Sequence, residues 1–355
     1  PPSSRSRSFR SRSFWARKDE RRRAEWLVAR IALRLRETAE EALASMPSSK
    51  VPAAWVRWYV GEGGGDESPA WRADRLAREL SAHRLTFMNE DALRSLVELA
   101  QTRADKFEQR VAERFVDVVK GRPEGWADLP QQSAVFEEKV APLLEDGRKV
   151  VMVLADALRY EMGRSLAESL EEDGATEAGW AVATPPTITK VGMAALLPGA
   201  EEGMELRAED GKAVAALGGT SMHTIVERRK WLEARYGNRF LDLPLDDCLR
   251  ASLAALEKRI GGADLVLLRS QDIDQIGEND NLVHAESFIS HIEKQLHEGM
   301  RKLTRAGAEE FVVVADHGFI LRSDVGDAMK LDLPKGECLE VHRRCVVGRN
   351  LDRGN

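Results

Sequence analysis

Residues 149–156 read KVVMVLAD, and two similar runs follow, DLVLLRS at 264–270 and EFVVVADH at 310–317. Each run is short and almost wholly apolar, which is typical of a strand buried on both faces of a parallel sheet. Amphipathic helical patterns lie between and around them, at 158–170, 246–260 and 285–305. Alternating strands and helices predict an α/β fold, a parallel sheet flanked by helices. We further predict a strand at 179–183 and a short helix at 191–197.

The sequence before residue 146 has a different texture. Residues 15–145 carry amphipathic helical stretches interrupted by Pro47 and by the glycine-rich GEGGG at 61–65, and we predict an all-helical accessory region there. We expect its tryptophans to pack in the helix core rather than to line a groove for a partner. Residues 146–355 form the predicted α/β core. Residues 1–14, PPSSRSRSFRSRSF, have no face to bury and are expected to be a disordered basic leader.

The charge of the chain is unevenly distributed. The net charge is −6, but residues 1–30 alone hold nine Arg and one Lys against three acidic residues, a local +7, so the remainder carries −13. We interpret the leader as a solvated segment and leave contact with DNA or a nucleotide open as the alternative. Apolar runs fall far short of the roughly 20 residues that a membrane helix needs, so we expect no membrane segment. Three cysteines without a CxxC pair favour a reducing, cytoplasmic compartment.

Acidic residues stand where the three predicted strands end. Asp156 follows the first, Asp272 and Asp274 follow the second, and Asp316 with His317 follows the third. A single Asp after a strand is often only a helix N-cap. Ligands bind at the carboxyl ends of parallel strands, however, and carboxylates gathered there repel unless a cation offsets them. The pattern therefore predicts a site for a multivalent cation at this rim.

A threonine precedes the predicted short helix in PTITKVGMAALLPG, residues 186–199. Thr189 stands at the expected helix N-terminus, where backbone amides favour a phosphate or an alkoxide. It could act only as an N-cap. It becomes a nucleophile if a neighbouring metal lowers the pKa of its hydroxyl.

Four motifs in this order, VLADALRYEM, PTITKVGMAALLPG, DIDQIGEND and VVVADHGF, resemble the PglZ family. That family is a branch of the alkaline phosphatase superfamily found in bacterial phage-defence systems of the BREX and Pgl kind. The resemblance covers roughly residues 148–348. It implies an alkaline-phosphatase-like sheet and the activity of a metal-dependent phosphoesterase, which would be a phosphodiesterase or a phosphatase. It also implies partners among the other proteins of a BREX or Pgl defence complex.

The resemblance assigns roles to particular residues. It makes Thr189 the nucleophile and implies two divalent metal ions, zinc first, with manganese or magnesium as alternatives. The ligands of one ion would be Asp156, Thr189, Asp316 and His317, and those of the other would be Asp274, Glu278 and His342.

Two departures from the superfamily pattern keep alternatives open. Glu278 stands where many relatives have His, and Gly192 stands where the related pyrophosphatases have an Asn that steadies the phosphate. Lys190 and Arg159 are candidates to replace that phosphate contact, or are surface charges. Asp272 is an alternative ligand to Asp274, and His284 is a further residue that could approach the site. The alternative function is a non-catalytic, metal-containing scaffold or sensor of a multi-protein defence complex.

Overall fold

The computed structural model describes residues 5–62, 68–83, 91–120, 125–126, 128–270, 282–319, 332–342 and 345–352. The chain divides into two units, Pro1–Asp128 and Leu129–Asn355. The sequence pattern predicts the boundary at residue 146 instead. The division falls earlier because residues 129–145, although helical in pattern, pack against the sheet of the second unit through Phe136 and Val140.

The first unit is all-helical. Its helices are α1 (Arg5–Ala44), α2 (Pro52–Val60), α3 (Pro69–Ala82) and α4 (Asp91–Val119). A proline begins α2 and α3, and Ser68 caps α3 by accepting a hydrogen bond from the Ala70 amide. Apolar residues of α1, α3 and α4, among them Leu35, Leu80 and Val97, form its core.

The helix α1 starts at Arg5 and so includes most of residues 1–14, where composition indicates a disordered leader. Adding residues to an existing helix is inexpensive, which gives a physical reason for the extension. Trp55 and Trp71 are buried as core packing predicts, whereas Trp26 is 76% exposed.

The second unit begins with a 3₁₀ turn at Gln132–Ala134 and a π-helical turn at Phe136–Val140. The elements that follow are, in order, α5 (Ala141–Glu145), β1 (Val150–Ala155), α6 (Tyr160–Leu170), α7 (Thr189–Ala195), α8 (Ala200–Gly203), β2 (Met204–Glu209), β3 (Lys212–Leu217), β4 (Thr220–Ser221), α9 (Ile225–Tyr236), β5 (Phe240–Pro244), α10 (Leu245–Arg250), α11 (Leu253–Ile260), β6 (Leu265–Ser270), α12 (Leu282–Arg305), β7 (Glu310–Val314), β8 (Glu337–Val341) and β9 (Val346–Arg349).

A parallel sheet in the order β5-β6-β1-β7 is the centre of this unit. The strand β1 is buried at every position, and its alternate residues face two different cores. Val151 and Val153 pack with residues of α6, α10, α11 and α12, whereas Met152 and Leu154 pack with residues of α7, α9 and β3. The sheet is therefore covered on both faces, which confirms the predicted α/β class.

Several predicted elements differ in detail. No strand forms at 179–183; Val182 makes only an isolated bridge with Gln131. The predicted helix at 246–260 is broken into α10 and α11, because Ser252 caps the second of them through the Ala255 amide. The strand β5, the antiparallel sheet β2-β3-β4 and the hairpin β8-β9 are additions that the pattern of buried strands does not indicate.

Among the helices that the structure describes, none combines the length and the hydropathy that a bilayer crossing requires.

Candidate metal centre

The register of the sheet brings two acidic residues together. β1 and β7 are adjacent and parallel, and Leu154 pairs with Val314. Two residues further along each strand stand Asp156 and Asp316, which are 3% and 0% exposed. Two carboxylates from residues 160 positions apart thus meet in the interior of the protein, at the carboxyl edge of the sheet.

Backbone amides hold the Asp316 carboxylate. Its Oδ1 accepts hydrogen bonds from the Ala157 amide, at 3.0 Å, and from the His317 amide, at 2.9 Å. Ala157 has φ 61°, the left-handed region that costs a non-glycine residue about 1 kcal/mol, so local strain accompanies the first of these bonds. Oδ2 is buried and accepts no hydrogen bond from the described residues. Burial raises the pKa of Asp316, and the electrostatic interaction with His317 and the hydrogen bonds from the two amides act against that rise.

The ring of His317 turns one nitrogen toward the carboxylates. Nε2 lies 3.3 Å from Asp316 Oδ2, 3.8 Å from Asp156 Oδ1 and 3.1 Å from Thr189 Oγ1. Nδ1 lies 3.2 Å from the Gly318 carbonyl oxygen, which can only accept a hydrogen bond. A proton on Nδ1 satisfies that contact and leaves the Nε2 lone pair directed at Asp156, Asp316 and Thr189.

The hydroxyl of Thr189 faces this cluster and does not cap its helix. α7 begins at Thr189, but its N-cap position is Ile188, and no side chain makes a capping hydrogen bond there. The Thr189 Oγ1 contact recorded in the structure is the one to His317. The interpretation of Thr189 as a mere N-cap is therefore wrong, because its side chain is used elsewhere.

Gly192 has a structural role that its position in the superfamily motif does not indicate. A Cβ at this position would lie 2.2 Å from the Asp316 carbonyl oxygen and 2.8 Å from the Asp316 Cβ. Only glycine lets the backbone of α7 approach the end of β7 this closely. Gly192 thereby brings Thr189 within reach of His317, instead of contributing a side chain to phosphate binding.

Gln132 is a buried polar residue of this region that no sequence motif indicates. Its side-chain amide donates to the Ala315 carbonyl at 2.8 Å and to the Asp316 carbonyl at 2.7 Å, while its Oε1 accepts from the Thr184 amide at 3.0 Å. It thus joins the end of β7 to the segment that leads into α7. No local pattern marks it, because its partners lie 52 and 184 residues away.

Lys190 and His342 meet on one acidic residue of β8. The Lys190 Nζ donates to both carboxylate oxygens of Glu340, and His342 Nε2 lies 2.8 Å from Glu340 Oε2. Burial raises the pKa of Glu340, but the hydrogen bonds from Lys190 and His342 and the charge of Lys190 outweigh it and bring the value to about 2. Lys190 is therefore paired with a carboxylate of the protein. The same ion pair holds the β8-β9 hairpin next to α7, which begins at Thr189.

The other residues named from the sequence have different surroundings. Arg159 pairs with the buried Glu161, at 3.8 Å, and its guanidinium lies 5.6 Å from the centroid of the Phe319 ring, just beyond His317. Residues Asp272, Asp274 and Glu278 and the side chain of His284 lie outside the described residues. The second set of ligands, Asp274, Glu278 and His342, therefore stays a prediction.

The donors of the first set fit a divalent cation. In the described part of the chain, ligand atoms of Asp156, Asp316 and His317 lie within 4.8 Å of one another, and all three residues are buried. The orphaned Oδ2 of Asp316 supplies a negative oxygen that no described donor satisfies. Two carboxylates and an imidazole suit zinc, and also manganese.

Comparisons with known proteins identify the family of this chain. A family model described as the BREX system PglZ alkaline phosphatase-like domain matches residues 135–355. The alkaline phosphatase-like protein BrxZ of Escherichia coli O9:H4 (strain HS) is 24% identical over 246 residues, 65% of this chain and 27% of that protein. The alkaline phosphatase-like protein PglZ of Bacillus cereus (strain H3081.97) is 24% identical over 258 residues, 68% and 28% respectively. The chain spans just over a quarter of the length of these relatives.

The family match begins at residue 135, just inside the second unit, and covers well over half of the chain. It contains each residue of the cluster formed by Asp156, Thr189, Asp316 and His317. The chain therefore belongs to the PglZ family, and its second unit carries the alkaline phosphatase-like domain.

Proposed function

We propose that this chain is a metal-dependent phosphoesterase that acts on phosphodiesters in bacterial phage defence. The observation that carries the proposal is the position of Thr189 Oγ1, which is 3.1 Å from His317 Nε2 at the edge of a buried cluster with Asp156 and Asp316. The Thr189 side chain does not make a helix-capping hydrogen bond. The family's relation to alkaline phosphatases supports a hydrolase. The description of the family names the BREX system, which supports a role in phage defence.

Asp156, Asp316 and His317 would hold the first metal ion, with the oxygen of Thr189 next to it. When bound, such an ion would lower the pKa of a hydroxyl and stabilise negative charge on a phosphoryl group. Asp274, Glu278 and His342 are our proposal for the second ion, and zinc is our proposal for its identity, with manganese and magnesium as the alternatives to be compared.

In the proposed mechanism the reaction takes place in two displacements at phosphorus. The Thr189 oxygen forms a bond to phosphorus while its proton passes to solvent, and the leaving oxygen departs with the electron pair of the broken bond. Water then breaks the threonine–phosphorus bond, and the Thr189 hydroxyl regains a proton. Gln132 and Gly192 keep the reacting hydroxyl and the carboxylates in place, because both join α7 or the segment before it to the end of β7.

One observation favours the second candidate function, a non-catalytic scaffold or sensor within a defence complex. Lys190, a candidate for contact with the phosphate, forms an ion pair with Glu340 instead. In that case the chain would hold metal and yet hydrolyse nothing. Partners among other BREX proteins and contact with DNA are part of both proposals.

The test is hydrolysis of bis(p-nitrophenyl) phosphate by the purified chain. We expect turnover after loading with zinc or manganese, loss of turnover with EDTA, and recovery on adding metal back. Asp156→Asn should lower the rate about a hundredfold or more, since it removes a negative ligand. Asp173→Asn is the control, because that exposed carboxylate pairs with His297 and not with the cluster. A folded chain that binds metal but hydrolyses neither diesters nor monoesters would favour the scaffold.

A further inference from the structure

A small cavity lies beside the proposed metal centre, on the face of the sheet that α7 and α9 cover. It has a volume of about 30 Å³, and its apolar walls include Leu154, Met193 and Leu267. Leu154 precedes Asp156 by two residues and Met193 follows Thr189 by one helical turn, so two of the three elements that carry the site, β1 and α7, also line the cavity. Space of this size admits one or two water-sized groups and excludes a nucleobase.

Three arginines, Arg228, Arg229 and Arg269, reach the same cavity. Arg269 makes a two-pronged pair with Asp242, at 2.5 and 3.0 Å, and Arg229 lies 3.4 Å from the same carboxylate. Arg229 also pairs with Glu233, at 3.2 Å, so both of these guanidinium groups have carboxylate partners beside a cavity with largely apolar surroundings. Such surroundings strengthen the attraction of an arginine for an anion.

Arg228 differs from the other two arginines in its partners. Its Nη1 donates to the Met222 and His223 carbonyl oxygens, at 3.0 and 3.1 Å, and among the described residues no carboxylate forms an ion pair with it. The adjacent Glu227 is used in a capping box with Thr224 at the start of α9. The guanidinium of Arg228 is thus held in orientation by neutral groups, while its charge is left without a contacting counter-ion in the described part of the chain.

Arg228 interacts electrostatically with the two carboxylates of the proposed metal centre. Burial lowers the pKa of Arg228, and the negative charges of Asp316 and Asp156 act against that fall. A cation bound by these two carboxylates would offset the negative charge that now stabilises Arg228. An anion positioned between the bound cation and the guanidinium would then interact favourably with both.

We propose that Arg228 binds a non-bridging oxygen of the substrate's phosphate group and forms an oxyanion subsite beside the metal centre. This inference rests on the proposed function, which it deepens by naming the residue that recognises the phosphate. It replaces Lys190 and Arg159 in that role, because the structure pairs those two with Glu340 and with Glu161. The size of the cavity fits an oxygen of the phosphate and not the organic part of the ester.

The test is the binding of inorganic phosphate to the metal-loaded chain, measured by isothermal titration calorimetry. Arg228→Gln removes the charge, and we expect it to weaken binding about 10- to 100-fold. Arg235→Met is the matched control on the same helix: its guanidinium stacks on Trp231, 4.2 Å from the ring centroid, and should leave phosphate affinity unchanged. Arg228→Lys keeps the charge and should recover part of the loss.

Metal content and thermal unfolding are measured for each variant, so that only folded, metal-loaded protein is compared. If Arg228→Gln does not fold, Arg228→Lys alone decides, with a loss of about threefold or more expected because lysine lacks the guanidinium fork. Wild-type affinity in a folded Gln or Lys variant would overturn the proposal. Phosphate binding requires no nucleophile, so a failure of the Thr189 mechanism would leave this comparison unaffected, and the two proposals can fail separately.

Discussion

Thr189→Ala is expected to lower the turnover of bis(p-nitrophenyl) phosphate about a thousandfold or more. The substitution removes the oxygen that would form the bond to phosphorus, which lies 3.1 Å from His317 Nε2. Folding should be unaffected, because the Thr189 side chain makes no helix-capping hydrogen bond. Initial rates at saturating substrate, with metal content measured on the same samples, provide the comparison.

Two control variants make this result specific. Thr189→Ser keeps the hydroxyl and should retain a substantial part of the activity. Thr187→Ala, at the other threonine of the same motif, should leave the rate within a few-fold of wild type. If Thr189→Ala turned over within tenfold of wild type with its metal intact, Thr189 would not be the nucleophile.

Gly192→Ala should disrupt the centre without changing any proposed ligand. The added Cβ would lie 2.2 Å from the Asp316 carbonyl oxygen, a distance at which backbone must move. We expect the free energy of unfolding to fall by about 3 kcal/mol, from overpacking in a buried region. Metal affinity should fall as well, because α7 and the end of β7 would separate and carry Thr189 away from Asp316 and His317. Urea unfolding and metal titration measure the two effects.

The matched control is Gly163→Ala in α6. A Cβ there would meet only the Leu158 Cδ2, at an ordinary contact of 4.0 Å, and alanine favours the helix by about 1 kcal/mol. This variant should be as stable as wild type or more so, with unchanged metal affinity. Wild-type stability and affinity in Gly192→Ala would show that the close approach of α7 to Asp316 is not required.

Much of the second unit could be predicted from short-range pattern. The runs that became β1, β6 and β7 are hydrophobic at nearly every position, because each of these strands is covered on both faces. Parallel strands present their carboxyl ends at one edge, so Asp156 and Asp316 could be expected to meet there. The helix that begins at Thr189 was predicted to within two residues.

The remaining features depend on contacts between distant segments. Gln132 bonds to residues 52 and 184 positions away, and nothing in its own neighbourhood signals a buried amide. Arg228 lies in an ordinary charged helix, and its relation to Asp156 appears only when α9 covers the sheet. Gly192 looked like a missing phosphate contact, because a sequence does not display the backbone that fills the space of a side chain.

The central claim is that Asp156, Asp316 and His317 hold a divalent cation next to Thr189. Calorimetric titration of the metal-free chain with zinc and with manganese tests it directly, in wild type, Asp316→Asn and the control Asp242→Asn, whose carboxylate pairs with Arg269. We predict that wild type and the control bind metal tightly, and that Asp316→Asn loses about a hundredfold in affinity for one ion. Equal binding by wild type and a folded Asp316→Asn, or no binding by folded wild type, would contradict the claim.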